Sequence, residues 1–307
     1  MRCSYCYFAA SRPLPDELTT EEFSRLWPDV VEVSPQKVVF TGGEPLLRPD
    51  IFDLLGGLRR QDPGHCIRRC LNSNGQTLTM NVARRLVGLA DEVRISVDAL
   101  EYRNDAVRGD GSFATALRAL ETLYTVGFEP KVLVTVSAST MPDLEELICL
   151  LREKRFTRIT INGLRTIGRA AGHTEWQADP DQIDQAVERA WHRCFPERPV
   201  SCQSVAGTTF RNCGVGSFIN IMPNGDVFPC HVLIDHELCC GNVRRLKLSE
   251  LCQPTALLGR LAAIELPQSS ADELGHQPVS GRHACMGDLY KKQDAVFRDA
   301  LGLVQLR

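Results

Sequence analysis

No apolar run in the chain approaches the ~20 residues that a helical membrane crossing needs. No secretory leader is evident either: the first residues are Met1-Arg2-Cys3-Ser4-Tyr5-Cys6, without a basic segment followed by an apolar one. These absences lead to the expectation of a cytoplasmic protein with no membrane partner. A broad basic excess is missing as well. The net charge is -3 at pH 7, which gives no electrostatic footprint for nucleic acid. There are no low-complexity tracts and no internal repeats beyond a strand–helix period. What remains is an ordinary globular composition, 307 residues and 43% hydrophobic, enough for one large domain and a small one.

Cysteine is not lacking. There are 13, in a chain with no export signal. A disulfide framework is not expected in a reducing compartment, and clustered spacing points instead to metal. The clusters are Cys3/Cys6, Cys66/Cys70, Cys213/Cys230, Cys239/Cys240 and Cys285. Cys149 lies in the apolar run Leu147-Ile148-Cys149-Leu150-Leu151, and Cys194 and Cys252 in helix-like stretches, so all three read as core.

Strand and helix patterns alternate along the first half. Thr19 with Glu22 forms a capping box before a helix whose apolar face holds Phe23 and Leu26. A strand over 37–41 follows, and its unalternating Val38-Val39-Phe40 reads as buried on both faces. Pro49 and Asp50 open a helix through Ile51, Leu54, Leu55 and Leu58. A second strand ends in Leu71-Asn72-Ser73-Asn74-Gly75, and Thr79 caps the next helix. Further strands are expected over 93–98, 132–136 and 157–164, with helices over 113–124 and 142–154. Five such units in a row mean a parallel sheet with right-handed crossovers. Each strand ends in small or polar residues, which gathers polar groups on one face of a barrel or curved sheet. A helix over 179–194 follows. Beyond Cys202 the chain becomes rich in cysteine and glycine, with a hairpin of Ser217–Met222, the turn Pro223-Asn224-Gly225-Asp226 and the return Val227-Phe228. A last helix is expected over 289–301.

Two stretches carry chemistry. Cys3-Ser4-Tyr5-Cys6 can bring two thiolates to one centre; a redox pair would need a preceding strand for which position 3 leaves no room, and from spacing alone zinc or an iron–sulfur cluster remain open. Lys37-Val38-Val39-Phe40-Thr41-Gly42-Gly43-Glu44-Pro45 is a strand that halts at two glycines, an acid and a proline. It is either an ordinary turn or a loop offering Glu44 and bare backbone to a ligand amine.

Taken together, these stretches resemble the radical S-adenosylmethionine (radical SAM) superfamily. Cys3 and Cys6 are similar to the last two cysteines of its Cys-x3-Cys-x2-Cys signature, and Gly42-Gly43-Glu44-Pro45 to its glycine–glycine–glutamate–proline loop. Asn72-Ser73-Asn74-Gly75, Ser96-Val97-Asp98, Asn104-Asp105-Ala106-Val107-Arg108-Gly109 and Gly168-Arg169-Ala170 resemble its later motifs, in the same order over 1–170. The resemblance implies a partial (β/α)6 TIM-type α/β barrel. It implies a [4Fe-4S] cluster on Cys3 and Cys6, and SAM held by Tyr5, Gly42, Gly43, Glu44, Ser73, Asn74, Ser96, Asp98 and Arg108. Glu44 and the glycine backbones would take the SAM amine, Ser96 and Arg108 the ribose and carboxylate, and Tyr5 the adenine. Tyr7 would either pack under the cysteine loop or take a role of its own. The signature's first cysteine would lie four residues before Cys3. The chain as written thus offers two thiolates of three and is not expected to hold a stable catalytic cluster. A start placed too late explains this more simply than degeneration.

Cys213, Gly225 and Cys230 resemble the start of the SPASM/Twitch extension of the same superfamily. This implies one auxiliary [4Fe-4S] cluster on Cys213, Cys230 and Cys285, with Cys239, Cys240 or no protein ligand at the fourth position, the open site then serving substrate. The alternative is a decayed module, or zinc completed by His231, His236 or His283. The expected domains are a barrel over 1–175, a helical linker over 176–200 and a Cys-rich β-hairpin/helix module over 201–307. The implied activity is reductive SAM cleavage to a 5′-deoxyadenosyl radical that abstracts hydrogen from a substrate, a ribosomal peptide or protein side chain. Small-molecule dehydrogenation and a non-enzymatic metal-binding protein are the alternatives. A flavodoxin- or ferredoxin-type reductant is the implied partner.

Overall fold

The computed structural model describes residues 2–194, 215 and 218–263. The chain divides into two compact units, Met1–Arg12 with Ser34–Ala206, and Pro13–Val33 with Gly207–Arg307. The units therefore do not follow the expected cuts at 175 and 200. Residues 13–33 group with the C-terminal part.

The first unit is a parallel sheet in the order β1 (Lys37–Phe40), β2 (Arg68–Ser73), β3 (Glu92–Ser96), β4 (Lys131–Val136) and β5 (Ile159–Gly163). This curled half-barrel bears out the expected α/β architecture. Helices α2 (Ile51–Gln61), α3 (Met80–Leu86), α4 (Glu101–Arg108), α5 (Ser112–Thr125) and α6 (Leu144–Glu153) fill the crossovers. Strand residues alternate between two faces. Val93, Ile95, Val97, Val132, Val134 and Val136 face the helices, where Leu55, Leu120, Leu123 and Leu147 are buried completely. Each such leucine contributes about 1.5–3 kcal/mol. The opposite face of β3 carries Glu92, Arg94, Ser96 and, just past its end, Asp98. β1 departs from expectation: Val38, Val39 and Phe40 are half-buried, because among the described residues β1 lies at the sheet edge and pairs with β2 alone.

Helix α7 (Pro180–Cys194) carries an apolar stripe at Ile183, Ala186, Val187, Ala190 and Cys194 and packs against α6. Most of the expected linker is thus part of the first unit's core. Cys149 and Cys194, expected as separate core thiols, form a disulfide. The packing sets their Cα atoms 5.4 Å apart, within the range a bridge spans.

In the second unit, α1 (Thr20–Val33) begins with the expected capping box. The Glu22 N–H donates to Thr19 Oγ1 at 3.2 Å, and the Thr19 N–H to Glu22 Oε2 at 2.8 Å. The hairpin is β6 (Asn220–Ile221) and β7 (Asp226–Phe228), joined at Gly225 with φ +88°. A short strand not anticipated, β8 (Gly241–Asn242), completes an antiparallel sheet, and α8 (Leu248–Leu251) and α9 (Leu257–Ala262) follow. Arg244 ties this unit together: Nε and Nη2 donate to Glu22 at 2.6 and 3.1 Å, Nη2 also to Asp16 O, and Nη1 to Asn224 O. Cys252, expected as core, is exposed because it caps α8 at the surface. The helix expected over 289–301 lies outside the described residues. No helix of the described residues is long and apolar enough to cross a membrane.

Candidate active site

The strands deliver their C-terminal ends to one polar rim. Glu44 sits just past β1 in extended backbone and caps a short 3-10 turn over Pro45–Leu47. Its carboxylate accepts from Ser73 Oγ at 2.9 Å, the Asn74 N–H at 2.7 Å and the Leu46 N–H at 3.2 Å. The first two of these bonds come from the end of β2, so the first two strand ends are stitched together at Glu44. Burial pushes the Glu44 carboxyl up, against the pull of those three donors. No lysine, arginine or histidine among the described residues forms an ion pair with it. An incoming ammonium would therefore meet a carboxylate that burial disfavours in its ionised form. Gly42, with φ +121° and nothing within 4 Å of an added Cβ, leaves its backbone open to close approach.

The ends of β3 and β4 meet at Asp98. This residue is 1% exposed. It accepts from Arg108 Nε and from the Thr135 N–H at 2.7 Å, while its own N–H donates to Asn104 Oδ1 at 2.9 Å. The segment 104–109 is the last part of helix α4 and its glycine cap. Arg108 is thus fixed, 8% exposed, and its Nε is committed to Asp98. Burial alone would lower its pKa; the Asp98 charge overrides that and holds it raised, aided by the Cys3 and Cys6 thiols.

Arg108 Nη1 stands 4.0 Å from Cys3 Sγ, which brings the cysteine loop to the same rim. A latch holds the backbone of that loop. The Arg169 N–H donates to Cys6 O at 3.0 Å, Arg169 Nη1 donates to Cys3 O at 2.6 Å, and Arg169 Nη2 donates to Ala10 O. Gly168 has φ +59°, and an added Cβ would collide with the carbonyls of Cys6 and Tyr7, so only glycine fits. The Ser4 N–H donates to Val107 O at 2.9 Å from the other side. Tyr5, assigned to adenine from sequence, is 7% exposed. Its ring packs with Leu164 and Ala170, and among the described residues its buried hydroxyl has no hydrogen-bond partner. Tyr7 is 38% exposed, so it does not pack under the loop. Ser96 is half-buried on the inner face of β3.

The structure thus brings together Cys3, Cys6, Glu44, Ser73, Asn74, Asp98 and Arg108 along strand ends of one sheet. Cys3 and Cys6 could supply two of the three thiolates that a cluster at this rim would need. Among the described residues no group of three His, Cys, Asp or Glu is placed to hold a metal ion. Two residues important to the rim escaped the sequence reading of the site: Asn104, fully buried under Asp98, and Thr135. Their signal was an asparagine in a polar helix and a threonine in a strand, neither of which stands out without the fold.

The model of the radical SAM superfamily matches residues 1–148. The mycofactocin maturase MftC of Mycobacterium ulcerans is 30% identical over 259 residues, covering 79% of this chain and 68% of that protein. The chain belongs to the radical SAM superfamily. It is an enzyme of that class, whose cofactors are a [4Fe-4S] cluster and SAM. It spans 64% of the length of the corresponding maturase of Mycobacterium tuberculosis, so about two thirds of these relatives is represented. An AdoMet-dependent heme synthase of Oleidesulfovibrio alaskensis is 28% identical over 284 residues, covering 82% and 71% of the two chains. Two solved structures share the fold. SAM-bound Streptococcus suis SuiB has TM-score 0.71 at 16% identity, covering 94% of this chain and 71% of that one. SAM-bound anSMEcpe has TM-score 0.69 at 17% identity, covering 84% and 78%.

For the second unit, Cys213, Cys285 and His283 lie outside the described residues. Cys230 is buried, and its sulfur accepts from the Val232 N–H at 3.3 Å. Cys239 and Cys240 are half-buried. Burial first, and then the neighbouring Cys239 and Cys252, push the Cys240 thiol up to about 12. His236 is exposed at the surface.

Proposed function

We propose that this chain is a radical SAM maturase acting on a peptide. Its strand-end rim would hold SAM, and Cys3 and Cys6 would supply two of the thiolates for the cluster. The observation that carries this reading is the pairing, on one rim, of a buried carboxylate with no described cationic partner at Glu44 and a fixed guanidinium at Arg108 beside Cys3. The amine of a bound amino-acid moiety matches the first, and its carboxylate matches the second. When bound, the cluster and SAM supply hydrogen-atom abstraction.

The residues around them do the rest. Ser73 and Asn74 orient the Glu44 carboxylate. Asp98 holds Arg108 in place through Nε, with Nη1 beside Cys3. Arg169 and Gly168 fix the backbone that carries both thiols. The peptide assignment is supported by the mycofactocin maturase relatives and by the SuiB structure solved with a precursor peptide. A small-molecule substrate is the second reading, favoured by the heme synthase relatives. An auxiliary cluster on Cys213, Cys230 and Cys285, a flavodoxin- or ferredoxin-type reductant and a cytoplasmic site of action complete the proposal.

The test is equilibrium binding of SAM to the anaerobically reconstituted protein and to Glu44→Gln and Arg108→Met. Each substitution removes a charge-assisted contact worth about 1.5–3 kcal/mol, so each should weaken binding roughly tenfold or more. Unchanged affinity in both would overturn the assignment of the rim.

A further inference from the structure

At the opposite, N-terminal ends of the strands, on the inner face of the half-barrel, cations crowd around one carboxylate. Glu92 is 3% exposed. Its Oε1 accepts from Arg94 Nε, and its Oε2 from Arg158 Nη2 at 2.6 Å and Arg68 Nη2 at 3.2 Å. Strand register explains the gathering. Arg94 pairs with Lys131 across β3 and β4, the Val132 N–H bonds Arg158 O across β4 and β5, and Lys37 pairs with Arg68 across β1 and β2. The neighbouring acid, Asp91, is committed to Arg69 through bonds of 2.7 and 2.9 Å, and Arg69 alternates to the other face of β2.

We propose that this cluster binds a small oxyanion, a carboxylate or a phosphate, between Arg94, Lys131 and Arg158. Three guanidinium groups already satisfy both oxygens of Glu92, so the remaining positive charge is unmatched. Lys131 makes no hydrogen bond or ion pair among the described residues, and the charges acting on it are Glu92 against Arg94, Arg158 and Lys37. Arg94 is held with its side chain only 14% exposed, which removes most of the water that would otherwise screen it. The whole chain carries a net charge of -3, so the excess is a property of this site and not of the surface at large. Guanidinium forks and an ammonium converging from three adjacent strands match the geometry of carboxylate and phosphate oxygens. The site does not depend on the SAM rim, which lies at the other ends of the same strands.

Calorimetric titration of the full chain with inorganic phosphate and with citrate, each in chloride buffer, tests this directly. One-site saturable binding of either anion is expected, weakened about tenfold or more in Lys131→Met and in Arg158→Gln. The stronger of the two anions identifies the source. Thermal melting gives an independent readout. Without anion, Lys131→Met should melt at or above the wild type, because a like-charge repulsion is gone. With anion, only the wild type should gain, by mass action. Absence of saturable binding in the wild type, or equal binding in both variants, would overturn the proposal.

Discussion

The Asp98–Arg108 pair offers a sharp energetic test of the rim. Both residues are buried, at 1% and 8% exposure, and among the described residues each is the other's only ion-pair partner. Arg108→Met leaves Asp98 with the Thr135 N–H as its remaining donor. Asp98→Asn keeps an acceptor for Thr135 but strands a buried guanidinium. Breaking a buried pair from one side costs about 3–5 kcal/mol, because the surviving charge is uncompensated. Removing both charges together leaves no such survivor. The double variant should therefore cost far less than the sum, about 0–2 kcal/mol, giving a coupling of several kcal/mol. Urea denaturation of the four proteins, with ellipticity as the probe, closes the cycle. If the single costs add to within about 0.5 kcal/mol, the two residues are independent, and the argument that Asp98 positions Arg108 fails.

Gly168→Ala should displace the cysteine loop, since its Cβ would meet the Cys6 and Tyr7 carbonyls at a positive φ. A loss of about 1–3 kcal/mol in urea and faster alkylation of Cys3 and Cys6 are expected. Glu44 has a folded pKa raised above its unfolded value, so its contribution to stability is present below pH 4.5 and lost as pH rises through the folded pKa. Wild type should thus gain stability relative to Glu44→Gln as pH falls from 7 toward 4.5, and a flat difference would refute the burial argument. Glu22 is the opposite case: Arg244 first, then the Thr19 N–H, hold its carboxyl down to about 2. Its contribution is present above pH 4.5 and lost as pH falls toward 2, and Arg244→Ala should flatten that slope in acid titration of stability.

The strand–helix order of the first unit could be read from the sequence because α2, α3, α5 and α6 carry apolar stripes and β1, β3, β4 and β5 hold β-branched residues. Helix α4 could not be read that way. Its buried positions are Asn104 and Arg108, so its inward face is polar and leaves no hydrophobic period. The edge position of β1 depends on which strands pair, and a run of Val-Val-Phe does not encode that. The grouping of residues 13–33 with the second unit rests on contacts such as Arg244 with Glu22, 222 residues apart, which no local pattern contains. The Gly42-Gly43-Glu44 loop was legible as a ligand loop, but the two bonds that tether its acid to the end of β2 were not. The cysteine pair was legible as well, whereas its latch at Gly168 and Arg169 needed the fold.

The most direct test is SAM cleavage itself. The protein, extended upstream with a cysteine four residues before Cys3, is reconstituted anaerobically with iron and sulfide and reduced, and 5′-deoxyadenosine is measured by mass spectrometry. Formation of 5′-deoxyadenosine that is abolished in Cys3→Ala and Cys6→Ala, and strongly reduced in Glu44→Gln, is the predicted result. Undiminished 5′-deoxyadenosine from the two cysteine variants would contradict the account.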